Sequence, residues 1–275
     1  MKVTIYDTPK TMKLFLDTAD IKAIEDGNAT GLIDGVTTNP SLILKNGGDP
    51  EVVYQSLIEL GIPDISMEVV GNRKEMYEEG LRLAKKFGKE QTTIKVPCTP
   101  DGLSVCYQLS RQLIKVNVTL IFSPSQAILA AKAGATYVSP FVGRVDDNSY
   151  GGLCLIKDIA NVYAKQNWKS TEILGASIRN VRDVGRAFEY GANISVCFQF
   201  CFAYTFAISF IRHRPPYELS STLPTNGETY VAPALAASIA CDGENISVTF
   251  TLTNDLDNCL HTHKPSGVQG TLIVV

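Results

Sequence analysis

Short apolar segments alternate with longer amphipathic ones over the first two thirds of the chain, and this alternation restricts the fold more than any other feature. Eight segments rich in β-branched and apolar residues are predicted to be strands, namely Lys13 to Asp17, Gly35 to Thr38, Ile65 to Val69, Thr92 to Val96, Val116 to Phe122, Tyr137 to Phe141, Glu172 to Ala176 and Asn193 to Phe198. Strands that alternate with helices form a parallel sheet, and eight such units close into a barrel. The sequence therefore predicts an α/β fold, the (β/α)8 or TIM barrel.

The intervening segments carry the signals that begin helices. At Asp49-Pro50, Thr99-Pro100 and Ser123-Pro124, a residue that caps a helix stands before a proline that suits the first turn. Apolar residues recur at helical spacing from Asn72 to Phe87 and from Asn180 to Tyr190. We interpret these stripes as helix faces that pack on the sheet.

The fourth predicted strand contains a lysine where a buried strand is expected to be apolar. Alternation places Thr93, Lys95 and Pro97 on one face, and the proline leaves the amine near the carboxyl end of the strand. Lysines in water are protonated at neutral pH, whereas burial favours the neutral, nucleophilic amine. Lys95 is therefore either a nucleophile enclosed by the barrel or, like most lysines, a side chain on an edge strand with its ammonium group in water.

Composition excludes several classes of function. A net charge of −3 over 275 residues provides neither a basic surface for nucleic acid nor a polybasic membrane anchor. The N-terminal segment lacks the continuous apolar core of a signal peptide, so a cytoplasmic location is expected. Seven cysteines without a C-x-x-C pair indicate reduced thiols rather than a disulfide framework.

The three histidines all lie at or beyond His213. The main body therefore contains no imidazole, which excludes a histidine-dependent triad or metal site there. Nearer the C-terminus, Cys197 with Cys201 and His261 with His263 are isolated pairs. Two such pairs indicate metal binding only weakly, and we predict no metal site.

Charge falls abruptly in the last part of the chain. Residues 196–275 contain nine of the 53 charged residues, which leaves 44 for the first 195. The uncharged run from Gly191 to Ile211 approaches the length of a membrane span, but it starts within the predicted last strand and includes polar residues, so we predict no span. Strand-like fragments follow at Ile246 to Leu252 and at Thr271 to Val275.

These features divide the chain into three parts. We predict an N-terminal extension (1–12), a barrel (13–212) and a divergent tail (213–275). From about Val196, an atypical C-terminal region is predicted to replace or distort the last helix expected of the barrel. The composition of the tail allows it to be ordered or partly disordered.

Polar side chains stand at or near the ends of most predicted strands, where a packed core would exclude them. They are Asp17, Thr37, Thr38, Asn39, Glu68, Asn117, Thr119, Ser139, Arg144, Ser177 and Arg179. In barrels of this type, the active site is built at the carboxyl ends of the strands. We expect these residues to converge on one site with Lys95.

Six segments set these polar residues among characteristic neighbours. They are Leu16-Asp17-Thr18-Ala19-Asp20, Val36-Thr37-Thr38-Asn39-Pro40-Ser41-Leu42, Ile94-Lys95-Val96-Pro97, Asn117-Val118-Thr119-Leu120, Ser139-Pro140-Phe141-Val142-Gly143-Arg144 and Gly175-Ala176-Ser177-Ile178-Arg179-Asn180. In this order they resemble the transaldolase family in its short-chain branch. The resemblance covers about residues 13–195.

The resemblance implies a (β/α)8 barrel in which Lys95 forms a Schiff base with a ketose phosphate. Asp17 would be the acid/base at the substrate hydroxyl whose deprotonation drives cleavage; without the resemblance, it is explained as a helix cap for the segment that follows. Glu68 and Thr119 would hold the water that shuttles protons, whereas Thr119 alone is an ordinary strand threonine. No metal or organic cofactor is implied.

The resemblance also implies two sets of substrate contacts. The residues at the dihydroxyacetone unit would be Thr37, Asn39, Asn117, Ser139 and Phe141. The residues at the phosphate would be Arg144, Ser177 and Arg179. Without the resemblance, Asn39 is equally well explained as a turn residue, and the arginines as surface residues.

The implied reaction transfers dihydroxyacetone from sedoheptulose 7-phosphate to glyceraldehyde 3-phosphate, giving erythrose 4-phosphate and fructose 6-phosphate in the pentose phosphate pathway. The same branch includes fructose-6-phosphate aldolases, which release dihydroxyacetone and typically carry glutamine and tyrosine where this chain has Glu68 and Phe141. The transaldolase pattern is therefore favoured. Expected partners are sugar phosphates and, if the C-terminal region permits assembly, further copies of this chain.

The chain departs from the family near Val196, where a charged helix would normally follow. The abrupt loss of charge favours a shifted reading frame or retained intron over a divergent extension. If the last strand or its helix were altered, the barrel wall would be open, and the chain would be a non-enzymatic product rather than an enzyme. Met12, near the expected family start, is a second candidate initiator.

Overall fold

The computed structural model of the protein describes residues 12–149 and 151–197, together with the backbone of three strands within residues 235–274. The chain divides into two compact units, Met1–His213 and Arg214–Val275.

Strands and helices alternate in the first unit. Their order is β1 (Lys13–Asp17), α1 (Ile21–Asn28), β2 (Gly35–Thr37), α2 (Pro40–Lys45), α3 (Pro50–Glu59), β3 (Ile65–Glu68), α4 (Arg73–Phe87), β4 (Thr92–Pro97), α5 (Pro100–Ser110), β5 (Lys115–Ile121), α6 (Pro124–Lys132), β6 (Tyr137–Pro140), α7 (Val142–Asp146), α8 (Gly152–Lys165), β7 (Glu172–Gly175), α9 (Val181–Glu189) and β8 (Ile194–Cys197). Each strand lies within one or two residues of the segment predicted from the sequence.

The eight strands form a closed parallel barrel in chain order. Closure is made by β1 and β8, whose register runs from Lys13 opposite Ile194 to Leu16 opposite Cys197. The predicted (β/α)8 barrel is confirmed, and the wall is closed despite the unusual sequence that follows β8. The predicted replacement of the last helix falls on residues 198–234, outside the described part of the chain.

Capping side chains begin the helices where the sequence predicts them. Asp49, Thr99 and Ser123 each accept a hydrogen bond from a backbone N–H in the first turn, and each precedes a proline. Asn72 and Glu75 form a reciprocal capping box at the start of α4. These bonds satisfy N–H groups that have no partner within the helix, so each helix starts at a defined residue.

The buried apolar residues form two layers. The larger layer lies between the sheet and the helices and includes Val116, Val118 and Ile121 of β5. The smaller layer consists of Phe15, Tyr137, Leu174, Ala176, Ile194 and Val196, with Phe141 packed against it. Because strand residues alternate between faces, the smaller layer fills the barrel interior.

A polar network lies where β3, β4, β5 and β6 begin. Asp64 accepts hydrogen bonds from Thr93 Oγ1 (2.8 Å), Tyr137 OH (2.9 Å) and Lys115 Nζ (2.5 Å). Lys115 also donates to the carbonyl oxygen of Glu90 at 2.7 Å. We call Asp64, Thr93, Lys115 and Tyr137 the amino-end network.

The second unit contains a three-stranded antiparallel sheet. Its strands are β9 (Leu235–Asp242), β10 (Asn245–Leu252) and β11 (Gln269–Val274), with β10 in the centre. The sequence predicts β10 and β11 but not β9, because the alanine-rich segment of β9 has few β-branched residues.

No helix in the described ranges is long and apolar enough to cross a membrane. Most of the uncharged run lies outside those ranges, as do Cys201, His261 and His263. The N-terminal extension up to residue 11 also lies outside them.

Candidate active site

A cavity of about 630 Å³ opens at the carboxyl ends of the barrel strands. Its lining includes eleven of the twelve predicted site residues, which are Asp17, Thr37, Asn39, Glu68, Lys95, Asn117, Thr119, Ser139, Phe141, Arg144 and Ser177. The remaining predicted residue, Arg179, does not line it. Thr38, another polar residue expected at the site, does not line it either, but its carbonyl oxygen accepts a hydrogen bond from Lys95 Nζ. The volume is typical of a small-molecule site.

The amine of Lys95 is buried within this cavity. The residue is 7% exposed, and its strand, β4, is paired with neighbours on both sides. The alternative position on a solvent-exposed edge strand is therefore excluded. Lys95 Nζ lies 3.2 Å from Glu68 Oε2 and donates to the carbonyl oxygen of Thr38 at 3.1 Å.

Strand register explains why these groups meet. Glu68 on β3 and Asn117 on β5 are the direct Cα partners of Lys95. Since directly opposite residues point to the same face of a sheet, the carboxylate, the amine and the amide share one level of the barrel. The amine therefore has a carboxylate that can accept its proton.

Asp17 supplies a second carboxylate from the end of β1. It accepts a hydrogen bond from Thr37 Oγ1 at 2.8 Å, and Thr37 is its register partner on β2. Burial raises the pKa of the Asp17 carboxyl above its usual range, although the Lys95 ammonium and the Thr37 hydrogen bond oppose this effect. Asp20, rather than Asp17, caps α1, so the local interpretation of Asp17 as a cap is wrong.

Amide and hydroxyl groups form the side of the cavity at β5 and β6. Ser139 Oγ donates to Asn117 Oδ1 at 2.7 Å, and Asn117 Nδ2 donates to Ser66 Oγ at 3.3 Å. Thr119 Oγ1 is buried and has no hydrogen-bond partner within the described residues. A buried hydroxyl without a protein partner can bind a ligand or water molecule.

Asn39 combines two positions that the sequence treats as alternatives. Its Oδ1 accepts from the backbone N–H of Leu42 at 2.9 Å, which makes it the cap of α2. It also lines the cavity. Capping fixes the side-chain oxygen, and the remaining amide group is the part of Asn39 that suits a ligand.

Arg144 and Ser177 both line the cavity, each a few residues beyond the end of its strand, β6 or β7. The backbone N–H of Gly143 donates to the carbonyl oxygen of Ser177 at 3.0 Å. A Cβ atom at Gly143 would lie 2.4 Å from that oxygen, so this close approach requires glycine. Ser177 has φ 57°, in the left-handed region, and this turn brings it to the cavity.

Arg179 lies apart from the cavity lining. Its guanidinium group makes a two-point ion pair with Asp147, and both side chains are about half exposed. Asp147 directly follows α7, the helix that contains Arg144. The role of Arg179 in binding a phosphate stays a prediction. It requires the guanidinium group to leave Asp147 and bind the phosphate instead.

Several cavity residues were missed by sequence reasoning, including Ser41, Lys45, Val70, Leu120 and Val196. Lys45 and Ser41 belong to α2, directly after the predicted Asn39, so their neighbourhood was a usable signal. Leu120 follows the predicted Thr119, but simple alternation points it away from the cavity.

The cavity therefore combines a buried amine with two carboxylates and several hydroxyl and amide groups. Such a site can add an amine to a carbonyl group and move protons to and from the adduct. No cluster of three or more potential metal ligands occurs within the described ranges. These features place a candidate active site, with a buried lysine in it, at the carboxyl end of a (β/α)8 barrel.

Comparison with known proteins identifies the family. The model of the transaldolase/fructose-6-phosphate aldolase family matches residues 14–194. This chain belongs to that family. The match ends in β8, so the prediction that the tail is unmatched is confirmed.

Curated relatives agree with this assignment. A protein named probable transaldolase from Nitrosopumilus maritimus is 47% identical over 184 residues, which cover 66% of this chain and 82% of the relative. One of the same name from Geobacter sulfurreducens is 50% identical over 185 residues, which cover 67% of this chain and 85% of the relative.

A likeness to solved structures concerns the fold alone. A mutant flavocytochrome b2 with pyruvate bound has a TM-score of 0.50 and 14% identity to this chain. The superposition covers 70% of this chain and 58% of that one.

Proposed function

We propose that this chain is a transaldolase that transfers a dihydroxyacetone unit between sugar phosphates through a Schiff base on Lys95. The donor and acceptor would be sedoheptulose 7-phosphate and glyceraldehyde 3-phosphate, with erythrose 4-phosphate and fructose 6-phosphate as products. The burial of the Lys95 amine beside Glu68, 3.2 Å away, is the observation that carries this proposal. The reaction would belong to the pentose phosphate pathway, in the cytoplasm.

The first steps join substrate to enzyme. The Lys95 nitrogen adds to the ketone carbon of the donor, and the carbonyl oxygen takes a proton to give a carbinolamine. Loss of water then leaves an iminium ion. Glu68 and Thr119 suit this exchange, because a carboxylate and a buried hydroxyl without a protein partner can hold the water that shuttles the protons.

The next step cleaves the bond between the third and fourth carbons of the donor. Asp17 accepts the proton of the hydroxyl on the fourth carbon, which becomes an aldehyde. The electron pair of the broken bond moves into the iminium ion and forms an enamine. A raised pKa suits Asp17 to this role, because a general base is most effective when its pKa is closer to neutral pH.

Transfer reverses these steps with a second aldehyde. The third carbon of the enamine bonds to the aldehyde carbon of the acceptor, whose oxygen takes the proton from Asp17. Arg144 and Ser177 lie at the rim where a phosphate group on the far end of either sugar would reach. Hydrolysis of the new iminium ion then frees the product and restores Lys95.

The alternative function is that of a fructose-6-phosphate aldolase, which would release dihydroxyacetone without an acceptor. The family match includes both activities. Glu68 and Phe141 in the cavity follow the transaldolase pattern of the resemblance described above, and this favours transfer.

Borohydride reduction with fructose 6-phosphate, followed by peptide mass mapping, tests the Schiff base. We expect a reduced adduct on the peptide that contains Lys95. Comparing turnover with and without an aldose phosphate then separates the two activities. Folded protein that yields no adduct would contradict both.

A further inference from the structure

A β-bulge in β5 changes which side chains face the cavity. The register of β5 against β6 shifts between Val118 and Ile121. Leu120, between them, has φ 60°, in the left-handed region. A bulge inserts one extra residue into a strand, and side-chain alternation resumes beyond it in the opposite phase.

The buried residues of β5 show the effect of this bulge. Val118 and Ile121 both belong to the core between sheet and helices, although they are three positions apart. Strict alternation would place them on opposite faces. Leu120 instead lines the cavity directly after Thr119, which also lines it. Without the bulge, Ile121 would take this place.

The left-handed backbone at Leu120 is unusual for a residue with a Cβ atom. Such strained residues persist where the surrounding structure enforces them, and they cluster at active sites. Leu113 has nearly the same φ, 59°, but it is 85% exposed in the turn after α5. The two leucines share a left-handed φ and differ in position and exposure, so Leu113 is a matched reference.

Strand register places Leu120 nearer than the reactive amine to the mouth of the cavity, which is its opening at the carboxyl ends of the strands. Asn117 is the β5 partner of Lys95, and Thr119 is the partner of Pro97. Leu120 therefore lies three residues further toward the mouth than the level of the amine. This is the side on which the outer part of the substrate leaves and the acceptor enters.

Leu120 shares this level with Phe141. The backbone N–H of Phe141 donates to the carbonyl oxygen of Ile121 at 3.1 Å, which sets the end of β6 beside the bulge. Leu120 and Phe141 both line the cavity, and the ring of Phe122 packs edge-on against Phe141 at 5.9 Å. Leu120 and Phe141 therefore form an apolar wall on the mouth side of Lys95.

We propose that Leu120 is a specificity-determining residue that favours transfer of the dihydroxyacetone unit over its release. This inference rests on the proposed function. After cleavage, the enamine on Lys95 has two fates. Transfer joins its third carbon to the aldehyde carbon of an acceptor, whose oxygen takes a proton from Asp17.

Release follows a different sequence of steps. The third carbon of the enamine takes a proton, which restores the iminium ion. Water then adds to the second carbon, and the bond to the Lys95 nitrogen breaks to free dihydroxyacetone and the amine. An apolar side chain above the third carbon keeps out the water that would deliver this proton, and it offers the acceptor an apolar surface.

The test compares Leu120→Ala and Leu120→Gly with Leu113→Ala and Leu113→Gly. Each variant receives fructose 6-phosphate and erythrose 4-phosphate, and the formation of sedoheptulose 7-phosphate and of free dihydroxyacetone is measured. We expect the ratio of transfer to release to fall about tenfold in both Leu120 variants, in line with the effect of removing apolar contacts from a specificity site. The ratio should be unchanged in both Leu113 variants.

Two further measurements keep the result interpretable. Glycine adopts the left-handed region without strain, so each glycine variant should melt at or above the corresponding alanine variant. If Leu120→Ala fails to fold, Leu120→Gly and the volume-conserving Leu120→Met decide the question. Leu120→Met should retain the ratio of the unaltered protein.

The outcomes separate this inference from the proposed function. If the Leu120 variants fold, form the borohydride adduct on Lys95 and keep the original ratio, the inference is wrong while the proposed function stands. If the ratio of transfer to release fell equally in the Leu113 variants, the inference would also be wrong. If the unaltered protein forms no adduct, the proposed function fails and the inference fails with it.

Discussion

The two ends of the barrel both contain polar side chains, but the side chains are used differently. In the amino-end network, Asp64 accepts three side-chain hydrogen bonds, and Lys115 has a second acceptor in the Glu90 carbonyl. The Tyr137 hydroxyl, like that of an ordinary tyrosine, is protonated at neutral pH and donates to Asp64, and burial together with the Asp64 carboxylate raises its pKa further. Each side chain of this network therefore has a hydrogen-bond partner within it, whereas the neighbouring Thr92 Oγ1 has none among the described residues.

The carboxyl end leaves polar groups available. Thr119 Oγ1 has no partner within the described residues, and burial raises the pKa of Asp17. Lys95 Nζ contacts one carboxylate and one carbonyl oxygen beside an open cavity. Polar groups that satisfy one another stabilise a fold, whereas polar groups left available can act on a substrate. Substitutions at the two ends should therefore separate stability from activity.

The largest expected effect is that of Lys95→Met at the carboxyl end. Removing the amine removes the nucleophile, so turnover should fall by about 10⁴-fold or more, and the borohydride adduct should disappear. Methionine retains most of the side-chain volume, so we expect a cooperative melt close to that of the unaltered protein. The matched control, Lys132→Met, removes an exposed lysine from α6 and should leave turnover unchanged. Normal turnover of Lys95→Met would remove the catalytic assignment.

The next effect is that of Asp17→Asn, which should lower turnover by about 10²- to 10⁴-fold through loss of the acid/base. The same substitution should increase the stability of the folded protein at neutral pH, although it lowers turnover. Because the pKa of Asp17 is raised in the folded protein, the folded state holds this proton more tightly than the unfolded state. Stability from this group is fully present below a pH of about 4 and is lost as pH rises through the folded pKa.

Melting curves from acidic to neutral pH check this sign. Asp17→Asn should be more stable than the unaltered protein at neutral pH, and the difference should shrink as pH falls toward 4. Taking the difference between the two proteins cancels other titrating carboxyl groups, such as Glu51 and Glu79, whose pKa values are lowered by Lys86 and Arg82. A variant that is less stable at neutral pH would show that the carboxylate stabilises the fold, and the division between the two ends would fail.

At the amino end, Asp64→Ala should reduce the free energy of unfolding by about 3 to 5 kcal/mol, because it leaves Lys115, Tyr137 and Thr93 without their shared acceptor. Denaturant titration measures this loss. The turnover of the molecules that remain folded should be unchanged within about threefold, since Asp64 is absent from the cavity lining. Asp64→Asn, which retains one oxygen acceptor, should lose less stability. If an Asp64 variant were fully folded but had lost most of its turnover, this would show that the network also positions Lys95.

The barrel was predictable because its signals are local. Each strand is a short apolar run, and each of Asp49, Thr99 and Ser123 marks a helix start beside a proline. Most of the cavity was predictable for the same reason, because parallel strands bring their carboxyl ends together. The position of Lys95 follows from alternation within one strand.

The remaining features depend on contacts between distant residues or on backbone irregularity. Asp64 and Lys115 are 51 positions apart, and no local pattern links them. The bulge at Leu120 lacks the glycine that usually marks a left-handed position, so alternation alone predicts the wrong face. The pairing of Arg179 with Asp147 is also invisible in the sequence, because the motif that contains Arg179 does not specify its partner in space.

The smallest expected effects concern the pair of Arg179 and Asp147. This pair lies at the carboxyl end, but its charged groups bind each other, as the side chains of the amino-end network do. If Arg179 changes partner to bind a substrate phosphate, Arg179→Gln should raise the KM for sugar phosphates by about tenfold, with little change in kcat. Asp147→Asn should have the opposite effect and lower KM by about two- to threefold, because it frees the guanidinium group and removes a negative charge near the phosphate. Neither variant should shift the melting midpoint, since exposed ion pairs contribute little to stability.

Steady-state kinetics at low and moderate salt would measure both changes in KM, and the effect of Asp147→Asn should weaken as salt rises. Equal increases in KM for both variants would instead mean that the ion pair itself shapes the site, so that Arg179 acts as a structural residue at an otherwise open end.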